Sequence, residues 1–419
     1  MLLHSADVPD ALPAGLLEDL VRRESARVVG MLVRLLGSVD RAEEMFQESL
    51  VAALERWPRE GVPRNPGAWL ATVAKHRAID ELRLERLHET KHETIAREGL
   101  PAPASPAAIP DDRLRLIFTC CHPALSPESQ VAITLRLVCG LTTDEIARAF
   151  LVSEPTIAQR LVRAKRTIAE NRLPYEVPGA AELPARLAAV LAVVYLVFNE
   201  GYSASTGTLL QRVDLAREAL ELGTLLAELL PEAAEVHGLL ALMELQTSRS
   251  AARTSPTGDV VLLEDQDRSR WDHARIGRGL ARLDRARTSE TAGPYRLQAE
   301  IAGCHATAPS WSATDWPRIA ALYAELARVT PSPVVELNRA VAVAMANGPA
   351  AGLAIVDGLR DVPSLRDYRL LPATRADLLR RLGRFAEARA EYERALALTA
   401  NRAEQTFLAR RIEECSRAG

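Results

Sequence analysis

The sequence predicts an all-α protein. Three observations carry this. Ala, Leu and Arg dominate a chain in which aromatic residues are only 4% of the total, a bias toward helix formers and away from strand formers. Apolar residues recur at helical spacing rather than in alternation. Two proline-rich breaks, Pro101–Pro110 (PAPASPAAIP) and Leu173–Pro184 (LPYEVPGAAELP), separate helical blocks, because proline cannot continue a helix interior. A length of 419 residues suits two to three domains, and 48% hydrophobic residues suffice for buried cores. The expected division is 1–95, a linker over 96–110, a second block over 111–172, a linker over 173–184, and a long extension over 185–419.

Composition excludes several classes. The net charge is −3, so a nucleic-acid surface must be a local patch rather than a global property. The five cysteines (Cys120, Cys121, Cys139, Cys304 and Cys415) are odd in number, irregular in spacing and contain no CxxC, which fits a reduced, cytoplasmic setting. The start, MLLHSADVPDALP, lacks a cationic stretch and a long apolar run, so no signal peptide is expected. The apolar run around Leu187–Phe198 is short for a bilayer span and is closed by Asn199 and Glu200. It is expected as a buried helix, with no membrane partner.

In the first block, Phe46, Leu50, Ala53 and Trp57 form one apolar helical stripe. The opposite side, Asp40, Glu43, Glu44, Gln47 and Glu48, is polar and mostly acidic, and suits a basic partner. A later helix begins after Pro66. Trp69 on it is expected chiefly as a core residue. Lys75, His76, Arg77 and Arg83 are its candidates for contact with unpaired bases, which need cationic grooves.

The second block contains LTTDEIARAFLVSEPTIAQRLVRAKRTI, Leu141–Ile168. Thr142 and Glu145 have the spacing of a capping box. Ser153 is a candidate N-cap, and Pro155 is tolerated in the first turn. Ile157, Leu161, Ala164 and Ile168 repeat at helical spacing. The other face carries Thr156, Gln159, Arg160, Arg163 and Arg166, with Lys165 beside them. Between 156 and 172 there are five Arg/Lys against one acid, Glu170. A buried stripe with a cationic opposite face is what a recognition helix requires. Leu151 occupies the turn position where helix-turn-helix motifs often carry glycine.

The extension reads as successive helices. Near its end, Leu382, Gly383, Phe385, Ala388, Tyr392, Ala395 and Leu396 fit a tetratricopeptide-type helix pair. Val335–Leu359 reads as a second pair with Asn347-Gly348-Pro349 as its turn. The expectation is an α-solenoid. Asn199, Glu200, Tyr202, Asp267, Arg268, Trp271 and Trp316 are expected to form an internal polar network.

Three strings resemble the sigma-70 family, specifically its extracytoplasmic-function (ECF) group. They are DRAEEMFQESLVAALERW (Asp40–Trp57), PGAWLATVAKHRAIDELR (Pro66–Arg83) and Leu141–Ile168. The resemblance implies that block 1–95 is region 2 and block 111–172 is region 4. It implies core RNA polymerase as partner, bound at its clamp helices by Asp40, Glu43, Glu44, Gln47 and Glu48 and at its flap by region 4. It implies promoter DNA as the second partner. The −10 element would be melted by the segment holding Trp69, Lys75, His76, Arg77 and Arg83. The −35 element would be read by Ser153, Thr156, Gln159, Arg160, Arg163, Lys165 and Arg166. Glu44 stands where the clamp-binding helix usually has Asp, and His76 where Asn is usual. VFNEGYSASTG (Val197–Gly207), LLEDQDRSRWD and TDWPRI (Thr314–Ile319) resemble one ECF subgroup with a tetratricopeptide-like extension. That extension would regulate activity, with a protein or peptide regulator as a possible partner.

No catalysis, cofactor or metal is expected. His88-Glu89-Thr90-Lys91-His92 matches HExxH, but its polar flanks do not shape a dry zinc site. Cys120-Cys121-His122 reads as a buried helix end. Two alternatives differ in class: a stand-alone helix-turn-helix regulator with a sensing solenoid, and a zinc hydrolase built on His88, Glu89 and His92.

Overall fold

The computed structural model describes residues 16–90, 111–150, 152–202, 206–207, 211–255 and 259–418. Eighteen α-helices hold most of these, joined by loops, short 3-10 turns and one parallel pair of two-residue strands, β1 (Thr206–Gly207) and β2 (Ala400–Asn401). The chain divides into two compact units, 1–193 and 194–419.

Unit 1 begins with three mutually packed helices, α1 (Leu16–Leu36), α2 (Val39–Glu60) and α3 (Pro66–Thr90). Ser38 caps α2 by accepting a hydrogen bond from the Arg41 amide, which satisfies one free amide of the first turn. Leu20, Ala53, Trp57 and Leu70 are buried together here. Trp69 meets Trp57 edge to face at 5.3 Å, so its ring is half-buried core. Helices α4 (Asp112–Cys120), α5 (Pro127–Leu137), α6 (Thr143–Phe150) and α7 (Glu154–Glu170) follow.

The first three helices and the next four form one packed body, because α1 lies against α4 and α5. Two glycines mark the close approach. A Cβ on Gly30 would stand 2.8 Å from the Asp112 carbonyl oxygen. Gly140 has φ +72, and its Cβ would stand 2.8 Å from the Val21 carbonyl oxygen. Neither position has room for a side chain, and Gly140 also needs a left-handed backbone that glycine supplies at low cost. The Tyr175 hydroxyl lies 2.7 Å from Gly30 O and 2.9 Å from Asp112 O, and Ser25 donates to Leu137 O at 2.8 Å.

Helix α8 (Leu183–Tyr202) crosses the unit boundary. By length and composition it could span a membrane. Val190, Leu191, Val193, Val194, Val197 and Phe198 on it are each at most 2% exposed, while Leu196 is 47% exposed, so one face of the helix is buried rather than the whole helix.

Unit 2 continues with α9 (Val213–Leu229), α10 (Ala234–Thr247), α11 (His273–Ala286), α12 (Pro294–Thr307), α13 (Trp316–Val329), α14 (Pro333–Asn347), α15 (Pro349–Gly358), α16 (Leu370–Arg381), α17 (Phe385–Leu398) and α18 (Arg402–Ala418). From α12 onward each helix packs on the next. The turn between α14 and α15 is the Asn347-Gly348-Pro349 segment. Ala388, Tyr392 and Ala395 of α17 are buried against α16 and its neighbours, while Leu382 at the α16 end stays 36% exposed. The polar string forms contacts within this unit. Arg268 lies over the Trp271 ring at 4.5 Å, Arg249 donates to the Tyr202 hydroxyl at 2.8 Å, and Glu200 pairs with Arg212 at 3.4 Å.

Candidate functional site

Helix α7 is built as its sequence pattern demands. Ile157, Leu161, Ala164 and Ile168 are buried along one side, packed on α5 and α6. Gln159, Arg163 and Arg166 are exposed, and Thr156 and Arg160 are half-buried. Before it, the capping box of α6 is closed. The Thr142 amide donates to Glu145 Oε2 at 2.8 Å, and the Glu145 amide donates to Thr142 Oγ1 at 3.1 Å. Ser153 takes the N-cap position of α7, but its hydroxyl meets the Thr156 hydroxyl at 2.8 Å rather than a backbone amide. That leaves both hydroxyls at an exposed helix start. Arg166 is paired with Glu170 at 2.7 Å, whereas Arg163 forms no ion pair among the described residues. Leu151 lies outside the described residues.

The acidic face of α2 departs from its sequence pattern. Asp40, Glu44 and Gln47 are exposed and Glu48 is half-buried, but Glu43 is only 8% exposed. Glu43 is covered by the next helices rather than by solvent. Its Oε1 accepts from Arg136 Nε of α5 at 2.6 Å, and its Oε2 meets Lys165 Nζ of α7 at 2.7 Å. Lys165 also reaches Asp40 at 3.0 Å, and Gln47 donates to Glu43 at 3.2 Å. Arg22 of α1 pairs with Glu145 of α6 at 2.7 Å, beside the same junction.

Burial alone would push the Glu43 carboxyl up, yet Arg136 and Lys165 outweigh it and hold the group below its ordinary value. Burial likewise opposes the charge on Lys165, and Glu43 and Asp40 raise it above the usual lysine value. Both side chains are therefore charged at neutral pH. The cluster joins two residues expected on a polymerase face with one expected on a DNA face. Arg136 was not among the candidates. It is the lone cation in QVAITLRLVCG, and that isolation in an apolar run is the available signal.

On α3, Lys75, His76, Arg77 and Arg83 are all exposed. Arg77 is paired with Glu48, and Arg83 lies 3.4 Å from Asp80. Lys75 and His76 carry no ion pair or hydrogen bond among the described residues, so this face presents cationic and imidazole groups to solvent. Of the HExxH string, His88 and Glu89 fall at the end of α3, and His92 lies outside the described residues. Cys120 and Cys121 close α4, both 1% exposed. Burial pushes the Cys121 thiol up to about 12, so it stays protonated and is a poor ligand or nucleophile at neutral pH.

Residues 20–87 match the family Sigma-70 region 2, and residues 115–168 match Sigma-70, region 4. The ECF RNA polymerase sigma factor SigL of Mycobacterium tuberculosis is 30% identical over 159 residues, covering 38% of this chain and 89% of SigL. The chain belongs to the ECF sigma factors of the sigma-70 family. Its relative SigK of a Mycobacterium species is 29% identical over 34% of this chain and 75% of SigK. Sigma factors serve transcription initiation and are not enzymes. Residues 186–287 match a family of unknown function, DUF6596. The uncharacterized protein R00370 of Rhizobium meliloti is 44% identical over 92% of this chain and 93% of its own length, so the likeness runs through the extension too. No solved structure matches the chain.

Proposed function

We propose that this sigma factor docks on the clamp helices of core RNA polymerase through Asp40, Glu43, Glu44, Gln47 and Glu48, and on the flap through region 4. Region 4 then reads the −35 element, with Ser153, Thr156, Gln159, Arg160 and Arg163 near base edges and Lys165 and Arg166 at phosphates. Region 2 opens the −10 element with Lys75, His76, Arg77 and Arg83, and Trp69 holds their helix in place. The protein acts in the cytoplasm. The tetratricopeptide-like extension, 185–419, regulates this activity and offers a protein or peptide regulator its surface. The observation that carries the reading is the α7 face: a buried stripe, a free polar helix start and exposed arginines, following region 2 in chain order.

In this reading the packed arrangement of regions 2 and 4 is the resting one. Glu43 is held by Arg136 and Lys165, so region 2 offers only part of its docking face, and region 4 has one of its phosphate-binding cations occupied. Polymerase and promoter gain both residues only when regions 2 and 4 separate. Coulomb attraction between groups this close and this sheltered resists salt better than a surface pair does.

The test is run-off transcription with purified protein, core polymerase and promoters recovered by genome-wide binding. Initiation that depends on the protein, and weakens about tenfold or more with Arg163→Ala on a linear template, supports the reading. A protein that binds promoter DNA tightly alone, without any gain from core polymerase, would instead be the stand-alone regulator.

A further inference from the structure

Unit 2 carries two adjoining, half-open cavities of about 420 and 400 Å³, each within the range of small-molecule sites. They share Leu263, His305, Tyr323 and Asn338 as common wall. The first is aromatic. Trp311, Trp316, Tyr323, Tyr392 and Phe407 line it, five of only 18 Phe, Trp and Tyr residues in the chain. Trp316 meets Trp311 at 4.6 Å and His305 at 5.2 Å, both edge to face. The carboxylates at this cavity are Asp377, already paired with Arg380 at 2.7 Å, and the exposed Glu264. Arg381 at its edge donates to the Met345 sulfur, a weak acceptor.

The second cavity has a different character. Among the described residues no Asp or Glu lines it, while Arg249, Gln246, Gln298, Ser332 and Asn338 do. Arg249 has no carboxylate partner among the described residues; its one hydrogen bond goes to the Tyr202 hydroxyl at 2.8 Å. Arg268 stands behind the shared wall, donating to the carbonyls of His305 and Ala308 at 2.6 and 2.7 Å. Its Nη2 is buried without a partner, as is Nδ1 of His305. Burial, with Arg249 and Arg268 nearby, pushes the His305 imidazole down to about 4. It is therefore neutral at pH 7 and free to donate or accept. A half-buried guanidinium without a carboxylate, backed by a second one, favours an anion over a neutral or cationic group.

We infer that unit 2 binds a small organic anion with an apolar body: a carboxylate held by Arg249 in the second cavity, and an aromatic or alkyl body reaching past His305 into the aromatic one. This goes beyond the proposed regulation by a protein or peptide, and the site stands whether or not the chain initiates transcription.

The test uses the full-length protein and three probes of one shape: 3-phenylpropionate, 3-phenylpropanol and 3-phenylpropylamine, titrated by calorimetry at neutral pH. The expected result is carboxylate binding at least tenfold tighter than the alcohol and tighter still than the amine. Arg249→Gln should bring the carboxylate to the level of the alcohol, and Arg249→Lys should keep most of the preference. Tyr202→Phe removes the same hydrogen bond without removing charge, and should leave the preference intact. Val341→Trp, placed on the half-open wall of the aromatic cavity, should weaken all three probes. No binding of any probe at low millimolar concentration overturns the proposal. So does an amine preference, or a carboxylate preference that survives Arg249→Gln in a protein with unchanged circular dichroism.

Discussion

Two sheltered cation clusters, one in each unit, are handled in opposite ways. In unit 1, Arg136 and Lys165 converge on Glu43, with Asp40 on the open side. In unit 2, Arg249 and Arg268 converge on carbonyls, a tyrosine hydroxyl and an imidazole wall, with no carboxylate in ion-pair range among the described residues. Burying a charge is unfavourable unless it is paired or hydrogen-bonded. The first cluster meets that demand inside the chain, which makes it a fastener between region 2 and region 4. The second meets it only in part, which leaves capacity for a foreign anion. Pairing therefore separates internal fasteners from candidate binding groups more sharply than charge alone does.

The largest test of that contrast removes the shared acid. Glu43→Ala leaves Arg136 and Lys165 facing each other across a sheltered gap and should destabilise unit 1 by about 3 kcal/mol, read by urea unfolding. A loss below about 0.5 kcal/mol would mean the cluster is solvated in solution.

Gly140→Ala is next, at about 2 kcal/mol, because it adds a left-handed non-glycine residue and a clash with the Val21 carbonyl. This variant loosens the junction without touching a charge. If it enhances core binding while unfolding more easily, closure itself is the restraint.

Acid should also loosen the junction. The Glu43 carboxyl sits below its ordinary value of 4.5 when folded. Its contribution is therefore complete above that value and is lost as pH falls through the folded one. A titration of unfolding free energy from pH 6 downward should show this loss, and Glu43→Gln should flatten it.

The smallest effect is in unit 2. Arg249→Gln breaks no ion pair and one hydrogen bond, so it should change stability by about 1 kcal/mol or less. A loss near that of Glu43→Ala would show that Arg249 has an internal role and would weaken the anion-site proposal.

Much of this was legible in the sequence. The α7 stripe, Ile157, Leu161, Ala164 and Ile168, is buried as its period requires, because one helix face meets one neighbouring surface. The α6 capping box and the Asn347-Gly348-Pro349 turn were legible for the same reason: their partners are three residues away or adjacent. Glu43 was not. Helical periodicity placed it on a polar face, but its partners lie 93 and 122 residues along the chain, and no local pattern reports such a distance. The cavity around His305 was also invisible. Arg249, His305, Tyr323 and Asn338 come from four segments without a shared motif, and only helix packing brings them together. The network around Arg268 and Trp271 was legible as a cluster, but not as the back of a cavity.

On this proposal, regions 2 and 4 restrain each other through Glu43. The most direct measurement is the affinity of core RNA polymerase for the wild type and for Arg136→Gln, since Arg136 has no proposed contact with polymerase or DNA. Loosening the closed state by about 1.4 kcal/mol would raise the open fraction about tenfold and tighten apparent binding by the same factor. That tightening is expected in a protein whose circular dichroism is unchanged. Equal or weaker binding by the folded variant would contradict it.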